Sequence, residues 1–143
     1  LRKRFERSIP DVVNRIHFIP QMSHTHFLGF LLQADVILDT MYFGGGKTSL
    51  EAFACGRPVV TLPGNLLRGR LTLAFYKQMG ITECVATDIA SYVEIALLLA
   101  KDTSWRKEIT KKIRERSAVL YENGEVIEEL ASFFRQAIEN TRG

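Results

Sequence analysis

The feature that most constrains this chain is a regular alternation of short apolar runs with stretches of helical periodicity. Apolar runs at residues 35–39 and 58–62, and a weaker one at 83–86, are each followed by a helical pattern. Strands that are apolar throughout are typical of a parallel sheet with helices on both faces. The alternation therefore predicts an α/β fold, with a Rossmann-like parallel sheet and flanking helices.

Local signals give the expected bounds of the remaining elements. A further short strand is expected at residues 15–20 (RIHFIP), and the chain is expected to be helical from about residue 88. The predicted helices lie at residues 23–33, 47–55, 67–79, 88–101, 103–121 and 125–139. The residues expected to cap or end these helices are Ser23, Gly56, Gly80, Asp88, and either Thr103 or Ser104.

Length and charge exclude several classes of protein. The 143 residues suit a single domain, and the start at Leu1, inside a helical pattern, leads us to expect one part of a longer protein. A net charge of +3, from 19 basic and 16 acidic residues, is too mild and scattered to indicate a nucleic-acid surface. No apolar run reaches the roughly 18 residues of a membrane span.

The cysteines and carboxylates predict neither a disulfide nor a metal site. Cys55 and Cys84 lie in apolar surroundings and outside any CxxC or Cys/His cluster. They are therefore expected to be buried free thiols of a protein from a reducing, cytoplasmic compartment. Carboxylates are not grouped as a magnesium site requires, so no metal or other cofactor is expected.

The segment at residues 39–64 (DTMYFGGGKTSLEAFACGRPVVTLPG) carries the chemistry. Three glycines lead from a strand into a helix, which lets the backbone come close to a ligand. The amides of Lys47, Thr48 and Ser49 are then free at the helix start, where free amides and the helix dipole bind anions. The hydroxyls of Thr48 and Ser49 can donate to phosphate oxygens, and Lys47 adds a positive charge. Glu51, one turn further on, suits a ribose, because both vicinal hydroxyls can donate to a carboxylate.

Two other interpretations of this segment stay open. The GKT sequence is found in the P-loop of phosphotransferases that bind ATP, but that motif requires a glycine where this chain has Met41. The pattern also fits a purely structural role without a ligand, in which a glycine turn precedes a Thr or Ser helix cap and Lys47 pairs with Glu51 at i,i+4.

With these residues in place, the chain resembles the C-terminal domain of GT-B glycosyltransferases, and most of all the O-linked N-acetylglucosamine transferase family, with its bacterial relatives fused to tetratricopeptide repeats. The likeness runs from RIHFIP through ADVILDT, the glycine loop and PVVTLPG to ITECVA. It implies a glycosyltransferase that uses a nucleoside diphosphate sugar, UDP-linked and with UDP-N-acetylglucosamine as a candidate, and protein Ser or Thr as a candidate acceptor. It also implies an N-terminal domain, with or without repeats, as the partner of this one.

The resemblance assigns further residues to the donor site. Thr48 and the loop of Gly45 and Gly46 would hold the diphosphate, Glu51 the ribose, and Arg70 would support the site. The residues placed near the base are Gln21, Met22 and His24. No catalytic residue is assigned.

The chain also departs from the family. Gly46 and Lys47 stand where the family has histidine and threonine, and Phe27 replaces a histidine near the base. The alternative function is therefore a nucleotide-binding or regulatory module that has lost turnover.

Overall fold

The computed structural model describes residues 1–141 as α-helices, short 3₁₀ turns and a small parallel sheet. The strands are β1 (Ile37–Leu38) and β2 (Val59–Val60), and the 3₁₀ turns are Val13–Arg15, Leu67–Gly69 and Ser117–Leu120. The helices are α1 (Arg2–Ser8), α2 (His24–Leu31), α3 (Lys47–Ala54), α4 (Leu71–Met79), α5 (Ile89–Lys101), α6 (Thr103–Arg116) and α7 (Gly124–Thr141).

The sheet is parallel, as the sequence predicts, and within residues 1–141 it consists of β1 and β2, with one isolated bridge directly after β2. Ile37 is paired with Val59 on one side of β2. On the other side Thr61 forms a parallel bridge to Val85, in the segment expected to be the weak strand. Parallel neighbours joined through helices bring the carboxyl ends of the strands to one edge, which is where α/β proteins bind their ligands.

The strand expected at residues 15–20 does not form. Val13–Arg15 is a 3₁₀ turn, and residues 16–23 have no regular secondary structure and no sheet partner among residues 1–141. Phe18 packs edge-on against Phe5 of α1, with ring centroids 5.5 Å apart. Phe18 of this segment therefore packs on a helix instead of belonging to a sheet. The pattern of apolar residues alone does not distinguish these two environments.

Most helix ends lie at the residues that the sequence indicates. Gly56 (φ +68°) and Gly80 (φ +63°) adopt the left-handed conformation that glycine accepts without a steric penalty. Asp88 and Ser91 form a capping box at the start of α5. The cap of α6 is Asp102, rather than Thr103 or Ser104, because its carboxylate accepts a hydrogen bond from the third amide of the helix.

The core lies between β2 and helices α3 to α6. Phe53 and Tyr76 are fully buried in edge-to-face contact, 4.9 Å between ring centroids. Ile109 and Ile113 cover them from α6 as part of the same buried cluster. Burial of a side chain of this size contributes about 1.5–3 kcal/mol to stability, so this cluster fixes α3 and its N-terminus against the sheet.

From Ile89 to Thr141 every described element is helical, and α7 carries exposed apolar residues such as Ile127 and Phe133. Among residues 1–141, no helix combines the length and the apolar character that crossing a membrane requires.

Candidate functional site

The glycine loop (residues 40–46) leaves the carboxyl end of β1 and is held in place by hydrogen bonds from two of its backbone amides. The amide of Gly44 donates to the carbonyl of Arg68 at 2.7 Å, and that of Gly45 donates to Oδ1 of Asp39 at 2.7 Å. A β-carbon on Gly45 would lie 2.4 Å from the Ser49 hydroxyl oxygen. A larger residue at position 45 would therefore have to displace the Ser49 hydroxyl where the loop passes over the start of α3.

The N-terminus of α3 has no side-chain cap. Gly46 is the N-cap residue, and no side chain hydrogen bonds to the helix start. The amides of Lys47, Thr48 and Ser49 precede the first intrahelical hydrogen bond and are available to an acceptor. They face a cavity of about 740 Å³, lined also by the loop, by β1 and by Phe27 of α2. An open helix N-terminus in a cavity of this size suits an anionic ligand.

The two hydroxyls at the helix start differ in their surroundings. Thr48 is exposed. Ser49 is buried, and its Oγ lies 2.9 Å from Oγ1 of Thr72, which in turn donates to the carbonyl of Gly45 at 3.2 Å. The Ser49 hydroxyl thus joins α3 to α4 and does not suit the phosphate contact expected from the sequence, although its amide remains at the helix start.

Glu51 contacts the His24 imidazole and the Lys47 ammonium one turn along α3. Its Oε1 lies 2.6 Å from Nε2 of His24 and 3.5 Å from Nζ of Lys47. The Glu51 side chain is 13% exposed, against 60% for His24 and 80% for Lys47. Oε2 of Glu51 has no hydrogen-bond partner within residues 1–141. One carboxylate oxygen is therefore held in place, while the other is unpaired in the described part of the chain.

The remaining residues assigned from the sequence lie around this centre. Exposed Gln21 and half-buried Met22 belong to the irregular segment just before α2. Arg70 is exposed and lies directly before Leu71. Leu71 is close to the glycine loop, because its Cδ1 would lie 3.4 Å from a β-carbon placed on Gly46. In the described part of the chain, these three side chains form no hydrogen bond or ion pair with the residues of α3.

Sequence reasoning missed the residue that anchors the loop. Asp39 is buried, at 8% exposure; its Oδ2 accepts from the Thr61 hydroxyl at 2.8 Å, and its main-chain carbonyl accepts from the Tyr92 hydroxyl at 2.8 Å. Burial raises the pKa of Tyr92, and the neighbouring Asp39 charge adds to the shift. A carboxylate that ends an apolar strand directly before a glycine loop was the signal available in the sequence.

No group of three or more His, Cys, Asp or Glu side chains within residues 1–141 is arranged to hold a metal ion.

A parallel sheet with a glycine loop that opens onto a helix N-terminus, followed by a carboxylate one turn later, is an arrangement typical of α/β domains that bind nucleotides. Residues 12–127 match the sequence profile of glycosyl transferase family 41. The chain belongs to this family.

Relatives and a solved structure agree with this assignment. The chain is 31% identical to the probable UDP-N-acetylglucosamine–peptide N-acetylglucosaminyltransferase SPINDLY of Hordeum vulgare, over 71% of this chain and 11% of that protein. It is 30% identical to the UDP-N-acetylglucosamine–peptide N-acetylglucosaminyltransferase of Giardia intestinalis, over 82% of this chain and 8% of that protein.

An O-GlcNAc transferase mutant from Thermobaculum terrenum superposes with a TM-score of 0.84 at 29% identity, over 94% of this chain and 27% of that structure. The match confirms the predicted fold, a Rossmann-like part of a GT-B glycosyltransferase. The chain spans about a tenth of the length of the Hordeum and Giardia relatives.

Proposed function

We propose that this chain holds the nucleoside diphosphate of a sugar donor within a glycosyltransferase. The donor is UDP-linked, with UDP-N-acetylglucosamine as the first candidate, since the names of the Hordeum and Giardia relatives specify that donor. One observation carries the proposal: the open N-terminus of α3 and the free oxygen of Glu51 lie one turn apart on the same helix. That spacing suits a diphosphate and the ribose attached to it.

The diphosphate would lie against the start of α3. The amides of Lys47, Thr48 and Ser49, the Thr48 hydroxyl and the Lys47 ammonium would meet its oxygens. Negative charge develops on the leaving diphosphate as the sugar is transferred, and donors already oriented toward it stabilise that charge without reorganisation. The same groups that bind the donor would therefore lower the barrier to its cleavage.

The ribose would bind to Oε2 of Glu51. Because Oε1 is already bonded to His24 at 2.6 Å, the carboxylate is oriented before the ligand arrives. A hydrogen bond to a charged acceptor contributes about 1.5–3 kcal/mol. Gln21 and Met22, on the segment that leads to His24, would lie toward the base, and Arg70 would support the diphosphate from the start of α4.

The rest of the reaction requires parts of the protein beyond this chain. We propose an N-terminal domain that completes the cleft, with or without tetratricopeptide repeats, and a protein Ser or Thr as acceptor, in line with the word peptide in the relatives' names. We propose no metal or other cofactor and no nucleic-acid partner. Since Cys55 and Cys84 are both free thiols, we also propose a reducing, cytoplasmic location.

Calorimetric titration of the 143-residue chain with UDP tests the proposal, with GDP and magnesium-ATP as controls. We expect UDP to bind selectively and without metal. Lys47→Ala should weaken binding about fivefold, as expected for one ion pair in water, and Glu51→Ala about tenfold or more. Binding of magnesium-ATP alone would contradict the proposal in favour of a P-loop protein. UDP binding without turnover in the full-length protein would favour the regulatory module.

A further inference from the structure

The buried carboxylate of Asp39 connects the sheet to the glycine loop. Its backbone amide donates to the carbonyl of Val60 at 2.9 Å, which continues the hydrogen bonding to β2 one residue beyond the end of β1. Its Oδ2 accepts from the hydroxyl of Thr61, which directly follows β2. Its Oδ1 accepts from the amide of Gly45, six residues further along the chain. Both carboxylate oxygens are thus occupied, one by the sheet and one by the loop.

The loop has few other attachments at this point. The Gly44 amide binds the Arg68 carbonyl, and the Gly45 carbonyl accepts from Thr72 at 3.2 Å. A β-carbon on Gly44 would lie 3.1 Å and 3.2 Å from the two carboxylate oxygens of Asp39. The loop therefore closes directly over the carboxylate. With the acceptor gone, the Gly45 amide would be left without a partner beside the start of α3.

We propose that Asp39 is a positioning residue that sets the glycine loop against the N-terminus of α3. The inference rests on the proposed function, because the ligand whose position the loop controls is the donor diphosphate. Asp39 acts through Gly45 and does not touch the ligand. Its oxygens hold the loop as hydrogen-bond acceptors, and its charge is not needed for this. Within residues 1–141 the carboxylate is bonded to two neutral donors and to no cation.

This distinction gives three variants with different expected results. Asp39→Ala removes both acceptors and should lower UDP affinity tenfold or more. Asp39→Asn keeps an acceptor oxygen for Gly45, and the Thr61 hydroxyl can turn to accept from its amide, so UDP affinity should stay within threefold of the unaltered chain. Thr61→Val removes the bond to the sheet and keeps the bond to the loop, so its UDP affinity should also stay within threefold.

Two measurements on each variant, in the 143-residue chain, test the inference: UDP titration and NMR hydrogen exchange of the Gly45 amide. We expect Asp39→Ala to speed Gly45 exchange at least tenfold, with amides in the core of α6 unchanged, and expect Asp39→Asn to restore protection. Unchanged Gly45 exchange in Asp39→Ala would overturn the inference. So would a loss of UDP affinity in Thr61→Val that equals the loss in Asp39→Ala, because that result indicates general destabilisation. If the unaltered chain bound no UDP, the donor proposal would fail, and Gly45 exchange alone would decide whether Asp39 positions the loop.

Discussion

Nε2 of His24 lies 2.6 Å from Oε1 of Glu51, and this contact joins the first turn of α2 to the middle of α3. The two residues are 27 positions apart, and the carboxylate is far less exposed than the imidazole. If the contact orients Glu51 for the ribose, His24→Ala should weaken UDP binding roughly two- to tenfold, the value of one hydrogen bond.

Replacement of His24 by glutamine provides the matched control for that titration. The glutamine amide can donate to Oε1 of Glu51, so His24→Gln should bind UDP more tightly than His24→Ala. UDP binding that is equal in the alanine variant and the unaltered chain would show that Glu51 needs no such orientation.

Tyr76 completes the backbone hydrogen bonding of β2. Its hydroxyl donates to the carbonyl of Val59 and accepts from the Val59 amide, both at 2.9 Å, and the side chain is fully buried. Tyr76→Phe leaves that amide without a partner and should lower the free energy of unfolding by about 1–3 kcal/mol.

Urea denaturation followed by circular dichroism measures this loss, with Tyr121→Phe as control. The Tyr121 hydroxyl donates to the carbonyl of Leu50 at an exposed position, where water can replace it. The Tyr121 variant should therefore lose much less stability. Equal losses in the two variants would contradict the role given to Tyr76.

The two thiols should differ in reactivity. Burial raises the pKa of Cys84 to about 12, and the residue is fully buried, so almost no thiolate is present at mildly alkaline pH. Cys55 is half-buried. Iodoacetamide should alkylate Cys55 at least tenfold faster than Cys84 in the folded chain, as followed by peptide mass spectrometry. In denaturant the two rates should converge, whereas equal rates in the folded chain would contradict the burial of Cys84.

Acid should weaken the contact between α6 and the segment that pairs with β2. A hydrogen bond from Lys112 lowers the pKa of Glu83 from 4.5 to about 2. Because the folded pKa lies below the unfolded one, the stabilisation is fully present above about pH 4.5 and is lost as the pH falls toward 2. Glu83→Gln should be less stable than the unaltered chain at neutral pH, and the difference should shrink in acid. A difference in unfolding free energy that does not change with pH would contradict this.

Local signals in the sequence were sufficient for the parallel strands and most helix ends. Gly56, Gly80 and Asp88 act through their own backbone and near neighbours, so their roles can be predicted without tertiary information. The segment at residues 15–20 failed as a strand because a strand depends on a partner that its own sequence does not specify.

The site residues divide in the same way, into those whose position depends on local geometry and those whose position depends on distant contacts. The open helix start at Lys47 and the position of Glu51 follow from helix geometry. The inward direction of Ser49 depends on Thr72, 23 residues away, and the role of Asp39 depends on Thr61, 22 residues away. Contacts at such separations arise only when the elements pack.

The central claim is that Glu51 binds the ribose of a UDP-linked donor held at the start of α3. Its most direct test is calorimetric titration of UDP and 2′-deoxy-UDP into the unaltered chain and into Glu51→Ala. We predict that the unaltered chain prefers UDP by about tenfold, the value of one charge-assisted hydrogen bond, and that Glu51→Ala binds the two nucleotides equally. A preference for UDP that survives in Glu51→Ala would contradict the claim, as would its absence from the unaltered chain.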